Sequence, residues 1–443
     1  MPDWKLPLEV CEEIIDDVAQ DVWVKLEPPI SYRSAIHDLY ACSLTCRSWV
    51  PRSRINLFRR IQLSSQEQAG LLRASFDKSQ RLREFVEYLC IDCLIGQGQS
   101  NGWIYYIFRD LPSCFPNLRR LELRNLPFLR ATFILTTSWF NNVKSLSLQH
   151  LMYQSFREAI QLVNALTNLE ELTITNCTWS SPGYYYPSRA PHRLTTLSVT
   201  GLRPDLTPDP FNWVVTSHSA SLLTKLQLDV YEWSSEMQHV LHSSSRTLRV
   251  LFVTFQKVAF ADAESSDILP SCIKLSKLRH LSLAISDSIE SVPPGDIVSI
   301  LRSLPHIVPH SVVTVQLYFA AFTRDLLCER NWDYWKAVDV TLTSPSFSSI
   351  ESLELAWKMP PSSYREGQQD GLIRHTPSSL REVRRELAIL DKDGVFGNAF
   401  PTAYTRNLLW CSDYLHHEFV MVCLTGENIT KSRTKLQSNF SVY

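Results

Sequence analysis

Two things are scarce in this chain: glycine, and any surplus of charge. Only 12 of 443 residues are Gly, against 24 Pro, which excludes Gly-rich linker behaviour and suits a chain of stiff connections. Lys and Arg total 44 and Asp and Glu 45, so the formal net charge is −1 and no overall basic field attracts nucleic acid or an anionic membrane. Long apolar runs are missing as well, and nothing approaches the roughly 20 apolar residues that span a bilayer. Residues 1–22 carry acidic groups where a secretion signal needs a basic region and an apolar core. A cytoplasmic or nuclear location is therefore expected, with the 11 Cys reduced. What is present is an ordinary globular composition, 44% hydrophobic and 20% charged, over a length that predicts more than one structural unit.

One pattern recurs through most of the chain: an aliphatic residue, two others, a second aliphatic, one other, a third aliphatic. Clear copies are Leu118-Leu121-Leu123, Val143-Leu146-Leu148, Leu169-Leu172-Ile174 and Leu194-Leu197-Val199. They continue as Leu223-Leu226-Leu228, Leu248-Leu251-Val253 and Leu278-Leu281-Leu283. Weaker copies are Val86-Leu89-Ile91, Val312-Val315-Leu317 and Ile350-Leu353-Leu355. Starts at 118, 143, 169, 194, 223 and 248 lie 25 to 29 residues apart, and later spacings stretch to 30, 34 and 38. The last two aliphatics of a copy are two residues apart, so they share one face of a short strand. The residues between copies can return as helix or turn. Residues 155–166 do so by spacing, with Phe156, Ile160, Val163 and Leu166 on one helical face. Three buried aliphatics contribute about 1.5–3 kcal/mol each, too little against backbone ordering of about 1–2 kcal/mol per residue. Copies must therefore stack, and the expectation is a solenoid with a curved parallel sheet. Insertions are expected at 179–192 and 360–371.

The N-terminus reads as helices. Residues 6–22 begin with Leu6-Pro7, carry Glu9, Glu12 and Glu13 early, and space Val10, Ile14, Val18 and Val22 four apart with Ile15 beside them. A second helix is expected over 34–47, with Ala35, Leu39, Cys42 and Cys46 on one side. Residues 23–37, including Pro28-Pro29, read as a connection. Pro51 suits the first turn of a third helix containing Ile55 and Phe58. So much apolar surface on about 60 residues implies a partner.

The residues Leu6-Pro7-Leu8-Glu9-Val10 with Ile14, then Leu44-Thr45-Cys46-Arg47-Ser48-Trp49 with Leu57-Phe58, resemble the F-box, whose members begin Leu-Pro-x-Glu and carry Cys-Arg-x-Trp. The repeats resemble the leucine-rich repeats of F-box proteins, especially those expanded in fungi. Cys177 fits the Cys or Asn that this family often has at the ninth repeat position, whereas Leu126, Leu151 and Leu202 depart from it. The connection over 23–37 is longer than the usual F-box motif has. The resemblance implies an α/β chain: an F-box at 1–63, a connecting helix or linker at 64–80, and about ten repeats at 81–377. A C-terminal cap at 378–425 and a polar tail at 426–443 complete it. The cap would use Leu380, Val383, Leu387 and Leu390 at helical spacing and an apolar patch from Leu408 to Leu415. It also implies that Leu6, Pro7, Leu8, Glu9, Val10, Ile14, Leu39, Leu44, Cys46, Trp49, Leu57 and Phe58 dock on the SCF adaptor, and through it a cullin.

Catalytic chemistry finds no footing. Cys90-x-x-Cys93 has no second Cys pair at zinc spacing, His416-His417-Glu418 lacks the i, i+4 spacing of helical zinc proteases, and Gly96-x-Gly98 is a turn. No catalytic residue, metal or cofactor is expected, and no nucleic-acid or membrane partner. Function should lie on the outward strand face. There stand Arg120, Glu122 and Arg124, then Ser145, Ser147 and Gln149, then Glu171, Thr173 and Thr175, then Thr196, Ser198 and Thr200. Later copies add Lys225, Gln227, Asp229, Phe252, His280, Tyr318 and Glu354. Of these, Arg120, Glu122, Arg124, Phe252, His280, Tyr318 and Glu354 are the candidates for binding a target protein, with the Arg and aromatic residues as anchors. The resemblance implies the target-recognition subunit of an SCF-type ubiquitin ligase, with a non-ligase F-box scaffold and a repeat module whose helices are only a cap as the alternatives.

Overall fold

A computed structural model of the chain describes residues 7–24, 29–93, 103–104, 115–126, 140–181, 191–203, 206, 208–230, 235–255, 275–285, 312, 314–319, 332–342, 352–358, 409–415 and 418–423. It divides into two compact units, Met1–Leu222 and Leu223–Tyr443.

Unit 1 opens with helices α1 (Leu8–Val24), α2 (Pro29–Thr45) and α3 (Val50–Arg59). The expected connection over 23–37 is corrected here, because α2 begins at Pro29. A proline at the first helical position loses no hydrogen bond and has its φ preset, so this Pro starts a helix. Pro51 lies in the first turn of α3 for the same reason. Ile15, Ala19 and Leu39 form the buried centre, with Val18, Cys42, Trp49 and Leu57 packed against it. The buried line on α1 is Cys11-Ile15-Ala19, and of the apolar stripe beside it Val10 and Ile14 are exposed while Val18 is partly buried against the centre. Two apolar lines run side by side on this helix, and the one with small Cys and Ala side chains lets its neighbours approach. Asp16 ties α1 to α3: Arg52 donates to it through Nε (2.7 Å) and Nη2, and Asn56 Nδ2 donates at 2.9 Å.

α3 runs directly into strand β1 (Arg60–Leu63), and helix α4 (Gln66–Lys78) follows, capped by the Ser65 hydroxyl, which accepts from Gln68 N. Next come β2 (Tyr88–Asp92), β3 (Arg120–Arg124), β4 (Ser145–Gln149), β5 (Met152–Ser155), β6 (Glu171–Thr175), β7 (Thr178–Ser181) and β8 (Thr196–Thr200). The sheet order is β1-β2-β3-β4-β6-β8, every pair parallel. Register aligns the repeats: Leu89, Leu121, Leu146, Leu172 and Leu197 stand opposite one another, and so do Ile91, Leu123, Leu148, Ile174 and Val199. All ten of these are buried, as are the leading Val86, Leu118, Val143, Leu169 and Leu194. β5 and β7 form a separate parallel pair. The helix Phe156–Ala165 buries Phe156, Ile160 and Val163 as its spacing predicts, and Phe156 stacks 4.9 Å from Trp179.

Two devices hold the turns. Asn125, His150, Asn176 and Gly201, seven residues after each leading aliphatic, all have φ between 52° and 64°. That left-handed conformation turns the chain out of the strand so that Leu126, Leu151, Cys177 and Leu202 are buried next. At Gly201 a Cβ would sit 1.9 Å from Asn176 Oδ1, so a larger residue there would have to displace the Asn176 side chain. Before each leading aliphatic, Asn117, Asn142 and Asn168 donate to the carbonyls of Glu84, Pro116 and Asn141 at 2.6–2.7 Å, stitching each turn to the preceding one. Cys177, at the ninth repeat position, donates from Sγ to Leu148 O at 3.4 Å.

Unit 2 contains β9 (Lys225–Val230), β10 (Val250–Phe255), β11 (His280–Ile285), β12 (Thr314–Phe319), β13 (Ser352–Lys358), β14 (Leu409–Leu415) and β15 (Glu418–Cys423). Consecutive strands pair in parallel except β15, which folds back antiparallel on β14. The helices Ser235–Ser244 and Trp332–Leu342 bury Met237, Val240, Leu241, Trp335, Val338 and Leu342. The apolar stretch expected to serve a cap supplies β14, and Glu418 of the His-His-Glu segment opens β15. Leu380, Val383, Leu387, Leu390 and the tail lie outside the described residues. Together the units are an α/β chain built on parallel sheet. No helix among the described residues is long and apolar enough to cross a membrane.

Candidate interaction surfaces

The helical module leaves large apolar side chains in water. Leu8 (50% exposed), Val10, Ile14, Tyr40 and Leu44 (82%) are all exposed, and so are Pro7, Glu9 and Cys46. Val10 and Ile14 share one face of α1, and Tyr40 and Leu44 one face of α2, by their i, i+4 spacing. Leu39 departs from its expected role as a surface contact: it is buried in the module's own centre. Trp49 and Leu57 are half-buried against that centre, and Phe58 packs 6.5 Å from Phe76 of α4. Leu6 lies outside the described residues. Tyr40 was not expected as a contact, because only its spacing from Leu44 marks it. Ser48 hydrogen-bonds Cys46 at 2.9 Å and, as the main cause, lowers that thiol's pKa.

On the strand face of unit 1, register brings Arg60, Tyr88, Arg120, Ser145, Glu171 and Thr196 into one row. A second row is Gln62, Cys90, Glu122, Ser147, Thr173 and Ser198. Arg120 is exposed and stands 3.8 Å from Glu171, two strands away. Glu122 is the correction on this face. It is 3% exposed, accepting hydrogen bonds from the Tyr88 hydroxyl and Arg124 Nε. Arg60 lies 4.3 Å over the Tyr88 ring, and Asn125 Nδ2 donates to buried Asp92 at 2.8 Å. Burial, with Cys90 and Glu122 beside it, pushes the Tyr88 phenol far above its ordinary range, so Tyr88 is a donor. Burial likewise pushes Cys90 up to about 12 and Cys93 up to about 11, so neither is a thiolate at neutral pH. Further along, Thr175 and Thr200 hydroxyls bond each other at 3.0 Å. Glu122 and Arg124 are thus held mainly by each other, and Arg120 is the open one.

In unit 2, Lys225 and His280 flank Val250 in one row, with Phe252 diagonal to both. The Phe252 and His280 rings lie 5.4 Å apart, and Lys225 Nζ is 5.5 Å from the Phe252 centroid. Burial, then the Lys225 charge, lowers the His280 pKa to about 4, so its imidazole is neutral at physiological pH. Phe252 and His280 thus lie side by side, whereas Asp229 is buried. The side chains of Tyr318 and Glu354 lie outside the described residues. No protein-family model matches the chain, and no curated protein matches it in sequence.

Proposed function

We propose that this chain is the target-binding subunit of an SCF-type ubiquitin ligase: its N-terminal helices are an F-box that docks on the adaptor, and its repeats are a leucine-rich-repeat solenoid that binds a protein. The observation that carries the reading is the exposure of Leu8, Val10, Ile14 and Leu44 on a helical module with a small centre. Each is worth about 1.5–3 kcal/mol if a partner covers it. They coincide with positions at which the F-box resemblance places adaptor contacts. One strand of the main sheet per repeat, in aligned register, supports the solenoid half.

The mechanism is proximity. The solenoid holds a target while the adaptor and cullin bring a charged conjugating enzyme near its lysines, raising their effective concentration at the thioester. The chain performs no bond chemistry itself. The reading of α1–α3 as only a cap draws support from the direct passage of α3 into β1 and from the Arg59–Glu87 ion pair at 2.9 Å. Ligase and scaffold separate in a reconstituted reaction containing adaptor, cullin, conjugating enzyme, ubiquitin and a protein captured by the repeats. The ligase reading expects ubiquitin on the captured protein, lost on Leu44→Asp. An assembled complex that leaves every captured protein unmodified would refute it in favour of a scaffold.

A further inference from the structure

The residue immediately before each strand forms a ladder of its own. Its N–H donates to the carbonyl of its equivalent one strand earlier: Glu87 to Arg59, Arg119 to Glu87, Lys144 to Arg119, Glu170 to Lys144 and Thr195 to Glu170, at 2.7–2.9 Å. In unit 2, Arg249 donates to Thr224 at 2.8 Å and Arg279 to Arg249 at 2.9 Å. Successive members are therefore neighbours at about the 4.8 Å strand spacing. Unit 1 places opposite charges at two neighbouring steps, and they pair: Arg59 with Glu87 at 2.9 Å and Lys144 with Glu170 at 2.7 Å, so that its one like-charged step, Arg119 beside Lys144, has an acidic partner on one side.

Unit 2 has a like-charged step in which neither member is paired among the described residues. Arg249 and Arg279 are both exposed and directly adjacent, and like charges opposite each other on neighbouring strands oppose folding. No acidic side chain among the described residues forms an ion pair with either. The preceding turns add to the charge. Ser276 N donates to Ser245 O at 3.2 Å, and the next residue on each turn, Arg246 and Lys277, is exposed and basic. Lys277 stands where unit 1 has an Asn bonded to the neighbouring turn. Four cations are thus gathered on two adjacent turns without internal counter-ions among the described residues.

We infer that Arg246, Arg249, Lys277 and Arg279 form the docking site for an acidic segment of a protein target, its anionic groups being carboxylates or phosphates. Guanidinium forks pair with either group in two parallel hydrogen bonds. Nucleic acid is disfavoured because the chain as a whole is charged only −1 and the cluster is confined to two turns. This inference rests on the reading of the chain as a target-binding subunit.

The test is fluorescence anisotropy of the full chain with a short Glu-rich peptide, its Ser-phosphorylated counterpart, a Gln-rich control and a single-stranded RNA. At least one anionic peptide should bind and weaken with added salt, the Gln-rich peptide should not bind, and the tighter anionic peptide identifies the group read. Arg249→Glu with Arg279→Glu should weaken that binding by about tenfold or more. Arg81→Glu with Arg193→Glu, an equal charge change on exposed residues of unit 1, should leave it intact. The inference is overturned if neither anionic peptide binds, if the Arg249/Arg279 variant binds as the parent does, if the control loses as much, or if RNA binds more tightly than both peptides. Adaptor binding, measured in parallel, should survive the Arg249/Arg279 change, so failure of the acidic site and failure of the F-box reading are distinguishable.

Discussion

Glu122→Ala should destabilise unit 1 far more than a surface substitution. The Glu122 carboxylate is 3% exposed and accepts from the Tyr88 hydroxyl and Arg124 Nε. Removing it leaves a buried phenol and a guanidinium, on a side chain only 23% exposed, without their partner. Breaking a buried ion pair from one side costs about 3–5 kcal/mol, and the residual water at Arg124 puts this case at the low end, about 3 kcal/mol. For a unit of 222 residues, where 1 kcal/mol moves Tm by about 2–4 °C, the fall is about 6–12 °C. Arg120→Ala, two residues away on the same face, should cost under about 0.5 kcal/mol, because that side chain is half exposed and its ion pair is long. Combining Glu122→Leu with Arg124→Met should cost less than the sum of the two single changes, since no charge is left stranded. Thermal denaturation of the purified full chain by circular dichroism reads all three. A Glu122→Ala protein melting with the parent would refute the buried acceptor and return Glu122 to the open face.

Leu172→Asp should unfold or aggregate the repeats, since its side chain is fully buried between Leu146 and Leu197; Thr173→Asp, on the opposite face, should be tolerated. Equal melting temperatures for these two proteins would contradict the strand register. Asp16→Asn should loosen the helical module by about 1 kcal/mol at neutral pH, a figure kept small because Asp16 and Arg52 are each about a third exposed. Hydrogen bonding from Arg52 holds the Asp16 carboxyl below its ordinary 3.8, so its contribution is present above about that pH and is lost as pH falls through the lower folded value. The stability gap between parent and Asp16→Asn, measured by urea denaturation, should therefore be largest at neutral pH and close in strong acid. A gap independent of pH would contradict the ion pair.

The repeat aliphatics made the sheet legible in the sequence, since each of the ten copies contains a strand. Burial depth on the other face was not legible. Alternation assigns Arg120, Glu122 and Arg124 to one side, but only the cross-strand neighbour Tyr88 shows that Glu122 is enclosed. The same limit applied in the helices, where two apolar lines on α1 are equal in pattern and the centre takes the one with Cys11 and Ala19. Contacts between residues 25 to 28 apart, such as Lys144 with Glu170 or Asn142 with Pro116, follow only once register is known. β1, β14 and β15 lack the repeat's spacing, so the apolar run at Leu408 to Leu415 reads as a cap patch and not as a strand, and Pro28-Pro29 reads as a break where Pro29 begins a helix.

We propose that α1–α3 are an adaptor-docking F-box and not merely a lid on the sheet. The most direct test of this proposal is calorimetric titration of the purified chain with the SCF adaptor, alongside Ile14→Asp and Leu44→Asp. Both side chains are exposed, so these variants should fold as the parent does. A one-to-one complex is expected for the parent, with affinity lower by about 100-fold or more for each variant, as when an apolar anchor is replaced by a charge. No detectable complex with the parent, or affinities unchanged by both substitutions, would contradict it.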